Sequence, residues 1–408
     1  MDGPSFVIGN IARGDDLWDR GEIIEEIWRV LEKGNILLKA PRRFGKSSIM
    51  YRLYEKPREG FIVVFQDTEG INDPVDFITT LLSDIQQHES TGDKFKRLLK
   101  KIFKGAPSWI EEIEIAEFRL KLKEKIQDRW QENGEELLKI MGKLNEQLGE
   151  RIVFIIDELP VLIQRMSEKH KKTVVKDFLH WFRQIRQSSE LGNVRWVVGG
   201  SIGIEHILKQ VGAGTKVIND FEIVKIGPFS EDDARAYIKA LLKNEGRLQR
   251  ISRDVVDRVL ELVGAPVPYF IQIVLKESIY EMRSQGKKSL SKEMVDRAYL
   301  HGALGPASRT YFEHYFTRLS EYYDERKEGI AKRLILEVAR KAEVKKVELF
   351  KLFKMLSEGK LRDEVFSYLM TDIENDFYVT YSTETGSYRF STNILRDWWL
   401  RYYDLVEE

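Results

Sequence analysis

The chain contains no cysteine, which excludes disulfide frameworks, thiolate metal sites and cysteine nucleophiles. It has no prevailing charge either: 66 Lys and Arg balance 66 Asp and Glu. A neutral chain exerts no global pull on nucleic acid or anionic membrane, although a local basic patch stays open. Long apolar runs are also missing. Purely aliphatic and aromatic stretches reach no more than five residues, as at Ile152–Ile156, against the roughly 20 residues needed to span a bilayer. The opening residues, MDGPSFVIGNIARGDD, carry no apolar signal-peptide region. The six histidines show no metal-ligand spacing. The expectation is a soluble, cytoplasmic protein without a membrane partner.

What is present can build sizeable cores: 408 residues, 42% hydrophobic and 11% aromatic, a length that suggests about two or three domains. Residues 20–33 place Ile23, Ile24, Ile27, Trp28 and Leu31 on one helical face. Five short apolar runs then follow, each flanked by helical patterns: Ile36–Lys39, Phe61–Gln66, Ile152–Ile156, Val194–Val198 and Glu222–Ile226. Unbroken apolar runs between helices indicate strands of a parallel sheet covered on both faces. The segment between the second and third runs is far longer than one crossover needs, and its Lys- and Glu-rich helical pattern reads as a helical insertion, about 82–150. It either packs as solvated helices on the sheet or binds a partner.

After Ile226 strands give way to helices. Ser230 with Asp233 forms a variant capping box at the first of them, and further helical patterns cover 252–263, 267–284 and 291–300. In the last hundred or so residues, helices at 327–341, 346–357 and 361–373 precede a hairpin around Thr385-Gly386 and a final helix. Three helices followed by a hairpin suggest a winged-helix domain. Trp398-Trp399 and Tyr402-Tyr403 read as its core.

The chemistry begins at APRRFGKSS, residues 40–48, where an apolar strand runs into a turn and a helix. A phosphate-binding loop needs inward backbone amides, a Lys for the β/γ-phosphates and a Ser or Thr hydroxyl for Mg²⁺. Gly45, Lys46 and Ser47 meet those needs, and the N-terminus of the following helix favours an anion. Arg42 and Arg43 either add positive charge or are simply solvated. Ala40 stands where the motif's first glycine falls. At a strand end no left-handed turn is required, so Gly45 alone is expected to carry the unusual backbone.

RIVFIIDELP supplies the second element, a buried strand ending in Asp157-Glu158. Carboxylates there are costly unless they serve a metal or pair with a cation. In a phosphate-loop enzyme the Asp holds Mg²⁺ and the Glu polarises the attacking water. The plain alternative is an Asp and a Glu that start a loop. VRWVVGGSIG, the third element, puts Ser201 after Gly199-Gly200, either as a sensor of the γ-phosphate and water or as part of a strand-ending turn.

Together with GDDLWDR (14–20), VVGGSIGIEHIL (197–208), GAPVPYFIQ (264–272) and YRFSTNILRDWW (388–399), these motifs resemble the archaeal-type ATPase branch of the AAA+/STAND P-loop NTPases over nearly the whole chain. That resemblance implies an α/β fold of ASCE/AAA+ type. Its parallel five-stranded core has the acidic-pair strand and the Ser201 strand inserted beside the loop strand. A helical lid and a C-terminal winged helix follow. The domains implied are a core over 1–228, a lid over 229–305 and a winged helix over 306–408.

It further implies ATP and Mg²⁺ as ligands, with nucleotide contacts from Ala40, Pro41, Arg42, Arg43, Phe44, Gly45, Lys46, Ser47 and Ser48. Asp19 and Arg20 would lie near the adenine, and Pro266 belongs to a lid motif, although Pro266 and Pro268 also suit helix initiation. Metal ligands would be Ser47 and Asp157. Among Arg183, Arg186 and Arg195, any of which could instead make surface pairs, Arg186 is the choice for a finger acting in trans.

The activity expected is an Mg-dependent ATPase switch that couples ATP and ADP states to self-association or a protein partner. A DNA-associated ATPase and a nucleotide-gated scaffold with little turnover are the alternatives. DNA is disfavoured because the expected recognition helix, LRDEVFSYLMTDIEN, carries Asp363, Glu364, Asp372 and Glu374 against Arg362 alone, whereas groove readers need cations near phosphates.

Overall fold

A computed structural model describes residues 3–66, 68, 70–87, 123–124, 126–200 and 204–404. The chain divides into two compact units, one of Arg20–Ala40 with Lys46–Lys225, the other of Met1–Asp19, Pro41–Gly45 and Ile226–Glu408.

In the first unit, strands β1 (Asn35–Lys39), β2 (Phe61–Gln66), β3 (Arg151–Ile156), β4 (Val194–Gly200) and β5 (Phe221–Lys225) form a parallel sheet in the order β2-β3-β4-β1-β5. All five apolar runs are strands, within one or two residues of their expected limits. Ile152 to Ile156 have no exposed surface, as a central parallel strand covered on both faces requires. The helices are α1 (Gly21–Leu31), α2 (Lys46–Glu55), α3 (Pro74–Gln87), α4 (Trp130–Leu148), α5 (Leu159–Lys169), α6 (Lys172–Gln187) and α7 (Ile204–Gln210).

An aromatic layer fastens α6 to the sheet. Phe154 of β3 lies 4.9 Å from Trp196 of β4, which meets Phe182 of α6 edge-on at 4.9 Å, and Phe182 stacks on Phe178 at 6.0 Å. Each such burial stabilises the fold by about 2–3 kcal/mol, with about 0.5–1.5 kcal/mol more for the ring geometry. Of the helical insertion expected at about 82–150, α4 and the end of α3 are seen; 88–122 and 125 lie outside the described residues.

Arg186, the expected finger, is buried within this layer. Its side chain has no exposed surface, forms two hydrogen bonds of 2.9 Å to the Asp220 carboxylate, and donates to the Val217 carbonyl at 2.7 Å. The guanidinium lies between the Phe182 and Phe221 rings, 4.3 and 4.2 Å from their centroids. Burial lowers its pKa while Asp220 opposes the shift. A finger acting in trans needs a guanidinium free to reach another molecule, so this corrects the expectation. Arg195 likewise donates to the Leu31 carbonyl at 3.1 Å.

The second unit is mostly helical: α8 (Glu231–Asn244), α9 (Arg253–Val263), α10 (Pro268–Ser284), α11 (Lys292–Arg297), α12 (Glu313–Tyr322), α13 (Glu325–Lys341), α14 (Lys346–Ser357), α15 (Asp363–Asn375) and α16 (Asn393–Tyr403). Ser230 caps α8 by accepting from the Asp233 amide at 3.1 Å. The expected hairpin is β7 (Val379–Ser382) with β8 (Ser387–Phe390), and a short strand β6 (Glu343–Lys345) adds to it, giving the order β6-β8-β7. Trp398 and Trp399 are buried, whereas Tyr402 and Tyr403 are only partly covered.

The segments expected as lid (229–305) and winged helix (306–408) share this unit. Tyr299 donates to Asp397 at 2.8 Å, and a Cβ on Gly264 would stand 2.7 Å from the Asn393 amide nitrogen.

Truncating Arg186 would leave Asp220 as a buried, uncompensated charge. Arg186→Ala is expected to destabilise the protein by about 3–5 kcal/mol in urea unfolding. A variant as stable as the wild type would show that the pair does not hold this unit.

Candidate functional site

The ends of β1, β3 and β4 lie on one edge of the first unit's sheet, the carboxyl edge at which open α/β sheets gather ligands. β4 runs between the other two, with Leu38 opposite Gly199 and Ile156 opposite Val198. Residues leaving β3 therefore lie within side-chain reach of the start of α2.

Lys46 is the first residue of α2 and is 8% exposed. Its Nζ lies 2.5 Å from Glu158 Oε1 and 3.1 Å from Asp157 Oδ1. Ser47 Oγ donates to Asp157 Oδ2 at 2.6 Å, and the Glu158 amide donates to Asp157 Oδ1 at 3.0 Å. Thr68 Oγ1 donates to the Asp157 carbonyl at 3.1 Å. A buried ammonium is tolerated only when paired and hydrogen-bonded. Here one cation faces two carboxylates, and the positive end of the α2 dipole adds to it.

Two backbone features shape this cluster. Glu158 takes a left-handed conformation, φ 56°, which costs a non-glycine residue about 1–3 kcal/mol and tends to mark functional sites. Pro160 then sits in the first turn of α5, where its missing N–H is harmless. Gly199 is the second feature. A Cβ there would stand 2.5 Å from Asp157 Oδ1 and 2.8 Å from the Met50 methyl. The Asp157 carboxylate occupies the space that a side chain at 199 would fill. Sequence reading passed over Gly199; the Gly-Gly pair ending a buried strand was the available signal.

The remaining site residues fall as follows. Ala40 is buried and outside the left-handed region, as expected, but Arg43 (φ 71°) joins Gly45 (φ 89°) there. Gly45 is therefore not alone in carrying the unusual backbone. Ser48 and Arg20 are buried. Arg20 accepts the Ile24 amide through its carbonyl at 3.0 Å as α1 begins. In the second unit, Asp19 has a φ of 42°, and the Pro266 carbonyl accepts from the Phe229 amide at 3.0 Å. Pro41, Arg42, Arg43 and Phe44 belong to that unit too. Ser201 lies outside the described residues.

Ser47 Oγ and the Asp157 carboxylate are adjacent hard oxygens, which fits the one or two protein ligands that Mg²⁺ takes when phosphates and waters complete its shell. Among the described residues no group of three or more His, Asp or Glu could hold a metal unaided, and none is needed for a metal of this kind.

Residues 13–203 match the family model described as "Predicted AAA-ATPase", a segment that contains both the loop and the acidic pair. Among solved structures the chain is similar to a Walker-type ATPase of Pyrococcus abyssi, with a TM-score of 0.59, 15% identity, and coverage of 95% of this chain and 97% of that one. It is also similar to the ORC2 protein of Aeropyrum pernix, described in its ADPNP–ADP complexes, with a TM-score of 0.52, 11% identity, and coverage of 94% and 92%. The fold is that of an AAA+-type P-loop ATPase. The resemblance drawn from the motifs agrees with these similarities, and the sheet order carries the loop strand, the glycine strand and the acidic-pair strand in turn. No curated protein matches the chain.

Gly199→Ala is expected to displace the Asp157 carboxylate and weaken any Mg²⁺-dependent ligand binding by about tenfold or more, with a stability cost of about 1–3 kcal/mol. Isothermal titration with and without Mg²⁺ measures this. Unchanged metal dependence would remove Gly199 from the site.

Proposed function

We propose that this protein is an Mg-dependent ATPase working as a molecular switch, in which nucleotide state governs conformational change, self-association or a protein partner. One observation carries the reading: Lys46 and Ser47, at the start of a helix that follows a strand and loop, meet Asp157 and Glu158 from a second strand. The ADPNP–ADP complexes of the structurally similar ORC2 protein support a nucleotide as ligand. The core over 1–228 would carry the chemistry, and the lid over 229–305 and winged helix over 306–408 would respond to it.

With ATP in the loop, backbone amides of residues 42–47 and the α2 N-terminus bind the phosphates, and the Lys46 ammonium pairs with them. Lys46 thereby releases Glu158, whose carboxylate can then accept a proton from the attacking water. Ser47 and Asp157 would hold Mg²⁺, which supplies charge neutralisation at the phosphate oxygens. In the structure the base is paired with the same ammonium that would bind the phosphates. That exchange gives the site a built-in order: substrate first, base second.

The DNA-associated alternative gains little support. On α15, Asp363 pairs with Lys354, Asp372 accepts from the Tyr323 hydroxyl at 2.9 Å and Glu374 from the Tyr381 amide at 3.0 Å. Three of the four acids thus have internal partners, yet the helix still presents no cationic face.

ATP at about a hundred times its Kd is expected to stabilise the fold by about 2.7 kcal/mol, a thermal shift that Lys46→Ala abolishes. Glu158→Gln should keep the shift and lose turnover by about 10²–10⁴-fold in a phosphate-release assay. Wild-type turnover by Glu158→Gln would contradict the assignment of the base.

A further inference from the structure

Within the second unit, the tip of the loop is fastened at three consecutive residues, each to a different element. Arg42 offers its carbonyl to the Tyr315 hydroxyl of α12 at 3.5 Å, and its guanidinium lies 3.9 Å from Glu321. The Arg43 guanidinium lies 5.0 Å above the Tyr269 ring of α10 and donates to the Gly9 carbonyl at 3.3 Å. Phe44 is 1% exposed and meets the Phe377 ring edge-on, with centroids 4.9 Å apart and planes at 80°. Phosphate-binding loops work through backbone amides, so a buried phenylalanine at this position needs another reason.

The receiving side is built to be rigid. On either side of Phe377, Asp376 forms a buried ion pair with Arg318 at 3.4 Å, and the Tyr378 hydroxyl donates to the Tyr315 carbonyl at 2.5 Å. Phe377 itself is held at φ 65°. Arg43, next to Phe44, has a φ of 71°, a conformation that persists only where surrounding contacts over-determine it. The three anchors supply that constraint, and Lys46 follows Phe44 by two positions in the chain.

We infer that Phe44 is a positioning residue: seated against Phe377, it fixes the left-handed backbone of the loop in the form that binds phosphate, without touching the nucleotide. This rests on the proposed ATP site, and it ties nucleotide affinity to a residue of the C-terminal segment. Release of Phe44 would let the loop relax, and each binding event would then have to restore its shape.

A double-mutant cycle on the full chain tests this, using isothermal titration with Mg–AMPPNP. Phe44→Ala and Phe377→Ala should each raise Kd by about tenfold, with the double variant no weaker than either single one. Phe44→Leu, which keeps the burial, should recover most of the affinity and provides a readout if Phe44→Ala does not fold. An unchanged Kd in Phe44→Ala or Phe377→Ala, with only a lower melting temperature, would reduce the contact to packing and overturn the inference. Independent effects that multiply in the double variant would overturn it as well. Lys46→Ala run alongside separates the two levels: if it binds like wild type, or wild type does not bind, the ATP site itself fails, whatever Phe44 does.

Discussion

The Lys46 ammonium, 8% exposed and held between two carboxylates that leave a different strand, is the constraint on which the candidate site depends. Such a charge cannot be left alone in a protein interior, and its partners must arrive with good geometry. The sheet provides that geometry. Because β4 lies between β1 and β3, the two functional strand ends are separated by one strand, and the intervening strand has glycine where Asp157 needs space. The left-handed turn at Glu158 then brings the second carboxylate to the same ammonium. Strand order, one glycine and one strained residue thus serve a single electrostatic requirement.

The same ammonium links phosphate binding to the base under the proposed mechanism. Glu158 has its Oε1 on the Lys46 ammonium. A phosphate that competes for Lys46 frees it. The loop that presents Lys46 is in turn shaped at its tip by packing in the second unit, where Phe44 is buried. The switch would then draw on two kinds of interaction: charge exchange at the base of the loop and aromatic packing at its tip.

Much of this was legible in the sequence. Apolar runs located every strand of the parallel sheet, most clearly β3, where burial on both faces leaves no polar position between Ile152 and Ile156, and least clearly β5, where Glu222, Ile223 and Lys225 are exposed. Ser230 and the Thr385-Gly386 turn were readable for similar local reasons. β6 was not, since Glu343 and Lys345 flank a single buried valine and a three-residue strand has no period to detect. Arg186 was misjudged because its partner Asp220 is distant in sequence, and a charge pattern carries no record of long-range pairing. The left-handed backbone of Arg43 was hidden as well. It is imposed by tertiary contacts, not by glycine chemistry, and so leaves no compositional trace.

The central claim is that Lys46 exchanges Glu158 for a phosphate when ATP binds. A crystal structure of the Mg–AMPPNP complex measures it directly. The account predicts nucleotide phosphates on the amides of residues 42–47, with Lys46 Nζ moved from Glu158 Oε1, now at 2.5 Å, to the β/γ-phosphate oxygens. Nucleotide bound elsewhere, or bound here with the Lys46–Glu158 pair intact, would contradict it.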